Sequence, residues 1–292
     1  METYALVDEE ALLSAPLAPA SLADIVEVTK GAATDGIFLA TLLGFVLMLL
    51  YTLADAHKAW EAEHQMTMNV CMAVLCWAFL PIVAPFIRSP CAATAAGSRL
   101  QTAGWALGLL ADYSLLVGTL AFAGLGVLLF LAGRAPAYMT ALLLVECVGC
   151  WGFLLSACAY AGSWVLGALP AAGAEAGAGA GAAASSEAAA ALSRALAVAQ
   201  LEWWGHALNI GGSLFYVLAS TSSTLLVLAG AQDPNQEGLR QTMAQTFVIG
   251  DFCWTLDAAV FLGIWVRDAI KAQRAKRALD AAASAGKAAK EP

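Results

Sequence analysis

Between Leu201 and Leu228 the chain reads LEWWGHALNIGGSLFYVLASTSSTLLVL, apolar enough to cross a membrane yet marked by an unbroken polar line. Glu202, His206, Asn209, Ser213, Tyr216, Ser220 and Ser223 follow at alternating steps of four and three, which keeps all seven on one helix face. At ~1.5 Å per residue the line is about 30 Å long, the thickness of a bilayer's hydrocarbon core. Lipid offers no hydrogen bonds, so such a face has to look at protein or at water. The residues leave two readings open: a seam that glues neighbouring helices together, or the lining of a path for a solute or proton.

Composition extends the membrane reading to the whole chain. Of 292 residues, 61 % are hydrophobic and 12 % charged, against about 25 % charged in an average soluble domain. The expected fold class is all-α, a polytopic integral membrane helix bundle with about six transmembrane helices. The net charge of -8 is unevenly spread. Asp8, Glu9, Glu10, Asp24, Glu27 and Asp35 crowd the N-terminal tail, while the C-terminal tail is basic. Outside that tail there is no basic patch, so nucleic acid is not an expected partner. The first residues lack a basic stretch leading into an apolar core, so a cleaved secretory signal is not expected.

In order, residues 1–35 form an acidic tail. Within it Ser21 and Asp24 make a capping-box pattern ahead of Ile25, Val26 and Val28, with Gly31 as a stop. Residues 36–169 hold four spans: 36–54; 66–87, kinked by Pro81 and Pro85; 103–132, one long tilted helix; and 138–169. Residues 170–200 are an Ala/Gly-rich linker. Residues 201–268 hold spans five and six, the sixth at 243–266, and a basic tail follows at 269–292.

Six spans place both termini on one side, and 11 of the 14 Lys and Arg then fall on that side. The positive-inside rule makes it cytosolic, or its stromal or matrix equivalent. Arg267, Lys271, Arg274, Lys276 and Arg277 continue the last helix as a basic stretch, and anionic lipid headgroups are its expected partner. Small-residue helix faces also leave room for homo- or hetero-oligomers.

Five carboxylates fall inside spans, Asp112, Glu146, Glu202, Asp251 and Asp257, and no span holds a Lys or Arg to neutralise them. An intramembrane acid marks a functional site by default. The topology puts Glu146 and Asp251 toward the outer side, Asp257 near the middle, and Asp112 and Glu202 with His206 toward the inner side. Staggered acids of this kind suit proton or cation passage, and with His206, Asn209 and Tyr216 they are the candidate path residues. The competing account bonds each acid to a hydroxyl, an indole or Asn209 on a neighbouring helix, or lets Glu202 snorkel to headgroup water. Thr242, Thr246, Gly250, Cys253 and Asp257 share a face of span six, which is expected to meet the polar line of span five.

Seven cysteines are present, and their odd number argues against a disulfide framework. Cys147 and Cys150 form a CxxC, which admits a membrane thiol oxidoreductase on that pair alone. Local spacing supplies no third ligand beside Glu202 and His206, so neither a metal nor a cofactor is expected. Trp203, Trp204 and Trp265 fit an aromatic belt at the inner face. Phosphate loop, nucleophile elbow, HExxH and dinucleotide patterns do not occur, which points away from an enzyme.

Trp203-Trp204-Gly205, Gly211-Gly212-Ser213-Leu214-Phe215 with Ala219-Ser220, and Phe247-Val248-Ile249-Gly250 together resemble the YrhK-like domain, a two-helix membrane module. Where that pattern carries a small residue after its last glycine, this chain has Asp251. The resemblance covers about a quarter of the chain and implies a membrane location without an activity. The alternative to ion passage is a non-catalytic membrane scaffold or subunit, motivated by the lack of any enzyme motif and by the linker that splits four spans from two.

Overall fold

The computed structural model describes residues 21–33, 35–56, 77, 87, 99–132, 136–168, 200–228 and 237–288. The second span, the linker and the turn at Asp233, Pro234 and Asn235 lie, apart from single positions, outside the described residues. Six helices are described and no strand: α1 (Leu22–Ala32), α2 (Gly36–Ala56), α3 (Arg99–Ala132), α4 (Pro136–Ala168), α5 (Leu201–Leu228) and α6 (Glu237–Ala288).

The segments Thr102–Leu131, Tyr138–Gly167, Leu201–Leu228 and Thr242–Ala281 are long and apolar enough to cross a membrane, and α2 carries a shorter apolar stretch, Thr41–Leu53. They suit a membrane-embedded protein. Large apolar side chains stay exposed along them, among them Val117 and Leu120 on α3, Val148 and Trp151 on α4, and Leu214, Leu218 and Leu225 on α5. Such faces need lipid or another apolar surface. The 103–132 run is a single helix, as its length requires, and Pro136 opens α4, where a missing N–H costs nothing.

By its contacts the chain divides into two units, Met1–Thr41 with Phe261–Pro292, and Leu42–Val260. In the first, α1 starts with the expected capping box: the Asp24 backbone N–H donates to Ser21 Oγ at 3.2 Å, and the Ser21 N–H donates to Asp24 Oδ2 at 3.0 Å. Gly31 does not stop α1, which runs on to Ala32 because the Ala33 N–H still finds the Thr29 carbonyl at 3.2 Å. Asp35 caps α2 by accepting from the Phe38 N–H at 3.0 Å. Phe38 packs on Trp265, ring centroids 4.3 Å apart.

In the second unit, α3 and α4 lie against each other along their length. A Cβ on Gly152 would stand 3.0 Å from the Gly118 Cα and the Ser114 carbonyl, so only glycines allow the two backbones this close. Phe122 closes over Gly149 and packs on Phe153 at 5.4 Å. The Ser163 hydroxyl donates to the Gly104 carbonyl at 2.9 Å near one end. Phe122, Ala123 and Leu125 from α3, Leu142 and Cys150 from α4, and Tyr216 and Val217 from α5 form one buried cluster, with Phe153 and Trp254 packed against it.

Candidate functional site

The polar line of α5 is a burial gradient. Ser213 and Ser220 are fully buried and Tyr216 nearly so, while Glu202, His206, Asn209 and Ser223 are half-buried. Leu214, Leu218 and Leu225 on the other side stay exposed. The helix turns its hydroxyls inward for the reason its sequence suggests: each finds a donor or acceptor there.

Toward α6, the Tyr216 hydroxyl donates to Asp251 Oδ1, and the Trp254 indole N–H donates to Ser213 Oγ at 3.3 Å. The Trp254 ring stacks on the Tyr216 ring at 4.3 Å and 18°, and Phe247 meets the same ring edge-on at 5.2 Å. Beneath them Gly212 and Gly250 bring the two backbones together. Ser223 reaches Met243 Sδ at 3.8 Å.

The contact face of α6 therefore runs through Met243, Phe247, Gly250, Asp251 and Trp254. The expected line of Thr242, Thr246, Gly250, Cys253 and Asp257 coincides with it at Gly250. Thr246 instead donates to the Thr242 carbonyl of its own helix at 2.8 Å. The reason is steric: the glycine pair fixes where the helices touch, and Tyr216 and Trp254 need the space beside it.

Toward α4, Cys147 Sγ lies 3.5 Å from Thr221 Oγ1 and 4.0 Å from Ser220 Oγ, and Thr224 donates to the Leu143 carbonyl at 3.5 Å. Trp164 packs on His206, centroids 5.1 Å apart. Cys147 and Cys150 are both free thiols, and Cys150 is completely buried in the core cluster.

The acids fall into different environments. Asp112, nearly buried on α3, accepts from the Tyr160 hydroxyl of α4 at 2.6 Å. Asp251, fully buried, is held by Tyr216. Two carboxylates thus share one solution, a tyrosine hydroxyl from the next helix. Glu146 is half-buried on α4 beside Cys147, and Glu202 is half-buried one turn before His206. Asp257 is half-buried as a residue, and its Oδ1 is buried with no hydrogen-bond partner among the described residues, as is the Asp251 oxygen that Tyr216 does not hold.

The bonds described here fall into separate groups. Asp251 and Tyr216 are joined, Asp112 belongs to the α3–α4 pair, and Asp257 stands six residues beyond Asp251 on α6. The tyrosine partner of Asp112 was missed in the sequence, because Tyr160 lies 48 residues away and carries no local signal. Thr52 and Thr255 were also missed. Their hydroxyls meet at 2.8 Å, both residues are buried, and together they link α2 to α6.

Among the described residues, no three of His, Cys, Asp and Glu converge as a metal site would require. An apolar groove of about 570 Å³ between α3 and α4, lined by Val117, Trp151 and Leu155 among others, includes none of the candidate residues. No family model matches the chain, and neither a curated protein nor a solved structure matches it.

Proposed function

We propose that the chain is a multi-pass membrane protein of about six spans that handles a proton or small cation at the intramembrane acids of its α5–α6 pair, with Asp257 as the titrating group. The observation that carries this is the buried Asp257 Oδ1 with no hydrogen-bond donor among the described residues. A carboxyl oxygen in such surroundings has to be met by a proton, a cation or water, since leaving it bare is costly. Asp112 and Asp251 already have tyrosine donors, which leaves Asp257 the acid best suited to exchange its partner. Glu146, Glu202, His206 and Asn209, all half-buried, are the further stations of this reading.

The test is flux in proteoliposomes. Asp257→Asn keeps the shape and removes titration, so proton or cation flux should vanish while thermal stability is kept. Asp257→Leu serves as the packing control. Wild-type protein with no flux above empty liposomes, for protons and for common monovalent cations, would sink the proposal.

A second reading, a non-catalytic scaffold or subunit, is favoured by the interlocked glycines and by the tyrosine–carboxylate bonds, which spend polar groups on holding helices together. The YrhK-like resemblance of residues 201–268 fits either reading, as a two-helix module. The thiol oxidoreductase reading draws least support, because a fully buried Cys150 is poorly placed to exchange with a partner thiol.

A further inference from the structure

The unit formed by Met1–Thr41 and Phe261–Pro292 carries a clasp that the ion reading does not use. Asp24 is buried under the C-terminal part of α6. Its Oδ2 accepts from Arg274 Nη2 at 2.9 Å and Nε at 3.3 Å, and its Oδ1 accepts from Arg277 Nη1 at 2.8 Å. Arg277 Nη2 also donates to Glu27, as does Gln273. Both partners repeat at i and i+3, Asp24 with Glu27 and Arg274 with Arg277, so one face of α1 matches one face of α6 charge for charge.

Guanidinium pairs presenting several N–H groups to one point suit a phosphate oxygen as well as a carboxylate. Here two carboxylates of the same chain fill that place. The arginines are not sealed in, since their side chains are 29 % and 45 % exposed, so a competing anion can approach. Released from the arginines, α1 is an 11-residue helix, too short to persist alone in water, so its backbone amides open when it leaves.

Position decides the class of competitor. Taking Trp265, packed on Phe38, as the interfacial anchor, Arg274 stands nine residues and Arg277 twelve residues further on, about 14 Å and about 18 Å along the helix. The headgroup layer is ~5–8 Å thick on each side and the Debye length beyond it is ~8 Å, so Arg274 lies within the field of an anionic surface and Arg277, one turn further on, reaches back toward it through its long side chain. Arg267 and Lys271 on the same helix add to that attraction.

We infer that Arg274 and Arg277 form a binding site for the phosphate of an anionic lipid headgroup, and that α1 closes this site by occupying it with Asp24 and Glu27. In a zwitterionic membrane the clasp is shut. In an anionic one the headgroups compete for the guanidinium groups and α1 is released.

Hydrogen exchange of residues 22–32 tests this on the full chain in nanodiscs. Exchange should be faster in mixed phosphatidylcholine and phosphatidylglycerol than in phosphatidylcholine alone, by up to about 30-fold for two arginines. Equal exchange in the two membranes overturns the inference. Adding inorganic phosphate to the phosphatidylcholine discs, against chloride of equal ionic strength, separates the sources, and opening by free phosphate with none by phosphatidylglycerol overturns the lipid assignment. Lipid retained on purification is the second readout: phosphatidylglycerol per protein should rise in D24N/E27Q and fall in R274Q/R277Q. Equal retention in both variants and wild type, each monodisperse, overturns the site.

Discussion

Gly212 and Gly250 occupy each other's side-chain space. A Cβ on Gly212 would stand 3.1 Å from the Gly250 carbonyl oxygen and 2.5 Å from the Trp254 ring, and a Cβ on Gly250 would stand 3.2 Å from the Gly212 carbonyl oxygen and 2.5 Å from the Tyr216 ring. Neither ring can retreat without breaking a contact, since Trp254 bonds Ser213 and Tyr216 bonds Asp251.

Gly212→Ala is therefore expected to destabilise the α5–α6 pair by about 1–3 kcal/mol, the usual cost of overpacking. Gly211→Ala has open space at its Cβ and should be neutral, or stabilising by up to ~1 kcal/mol through helix propensity. Thermal unfolding of the two variants in the same detergent makes the comparison. Equal losses would mean that the close approach is not where the structure puts it.

Tyr216→Phe and Tyr160→Phe each remove the donor to a buried carboxylate, and each should cost about 1 kcal/mol. A double-mutant cycle of Tyr216→Phe with Asp251→Ala, which removes the acceptor, should show a coupling of about 0.5–1.7 kcal/mol. Additive losses in that cycle would show that the two residues do not interact.

The α1–α6 clasp sets a pH dependence. The Arg274 guanidinium, together with the Ser21 backbone N–H and hydroxyl, holds the Asp24 carboxyl well below the usual carboxylate range. The unfolded chain then takes up a proton at Asp24 more readily than the folded one, so the stability it lends is fully present above an ordinary aspartate value of ~3.9 and is lost as pH falls below that. The Tm difference between wild type and Asp24→Asn should be constant from neutral pH to about pH 5 and shrink only below about pH 4. A difference that fades near neutrality would contradict the clasp.

Both termini are expected on one side of the membrane, from the 11 of 14 basic residues that six spans place there. Protease protection of terminal tags in sealed vesicles checks this. Opposite protection of the two ends would require an odd number of spans.

Local features were legible in the sequence. Both ends of α5 and the single long α3 follow from run length and periodicity, and the start of α1 follows from Ser21 and Asp24 three residues apart. What joins the helices was not legible. The small residues of span six marked a plausible face, but periodicity does not say on which side of Gly250 the neighbour lies, and Tyr216 and Trp254 decided it by needing room. Ion pairs such as Asp24 with Arg274, 250 residues apart, leave no trace in spacing. The acids were recognised as exceptional, yet their sorting into tyrosine-held Asp112 and Asp251 and donor-poor Asp257 depends on contacts between helices.

The sequence separations of these contacts also set an order of assembly during synthesis. The α3–α4 bonds, Asp112 with Tyr160 and Gly104 with Ser163, close over 48 and 59 residues, so this hairpin can form as soon as its second helix emerges. Thr52 must wait for Thr255, 203 residues later. Asp24 must wait for Arg274 and Arg277, over a separation of 250 residues or more. The first of the described helices to be translated is thus among the last to dock, and until then its acidic face is left without its partner.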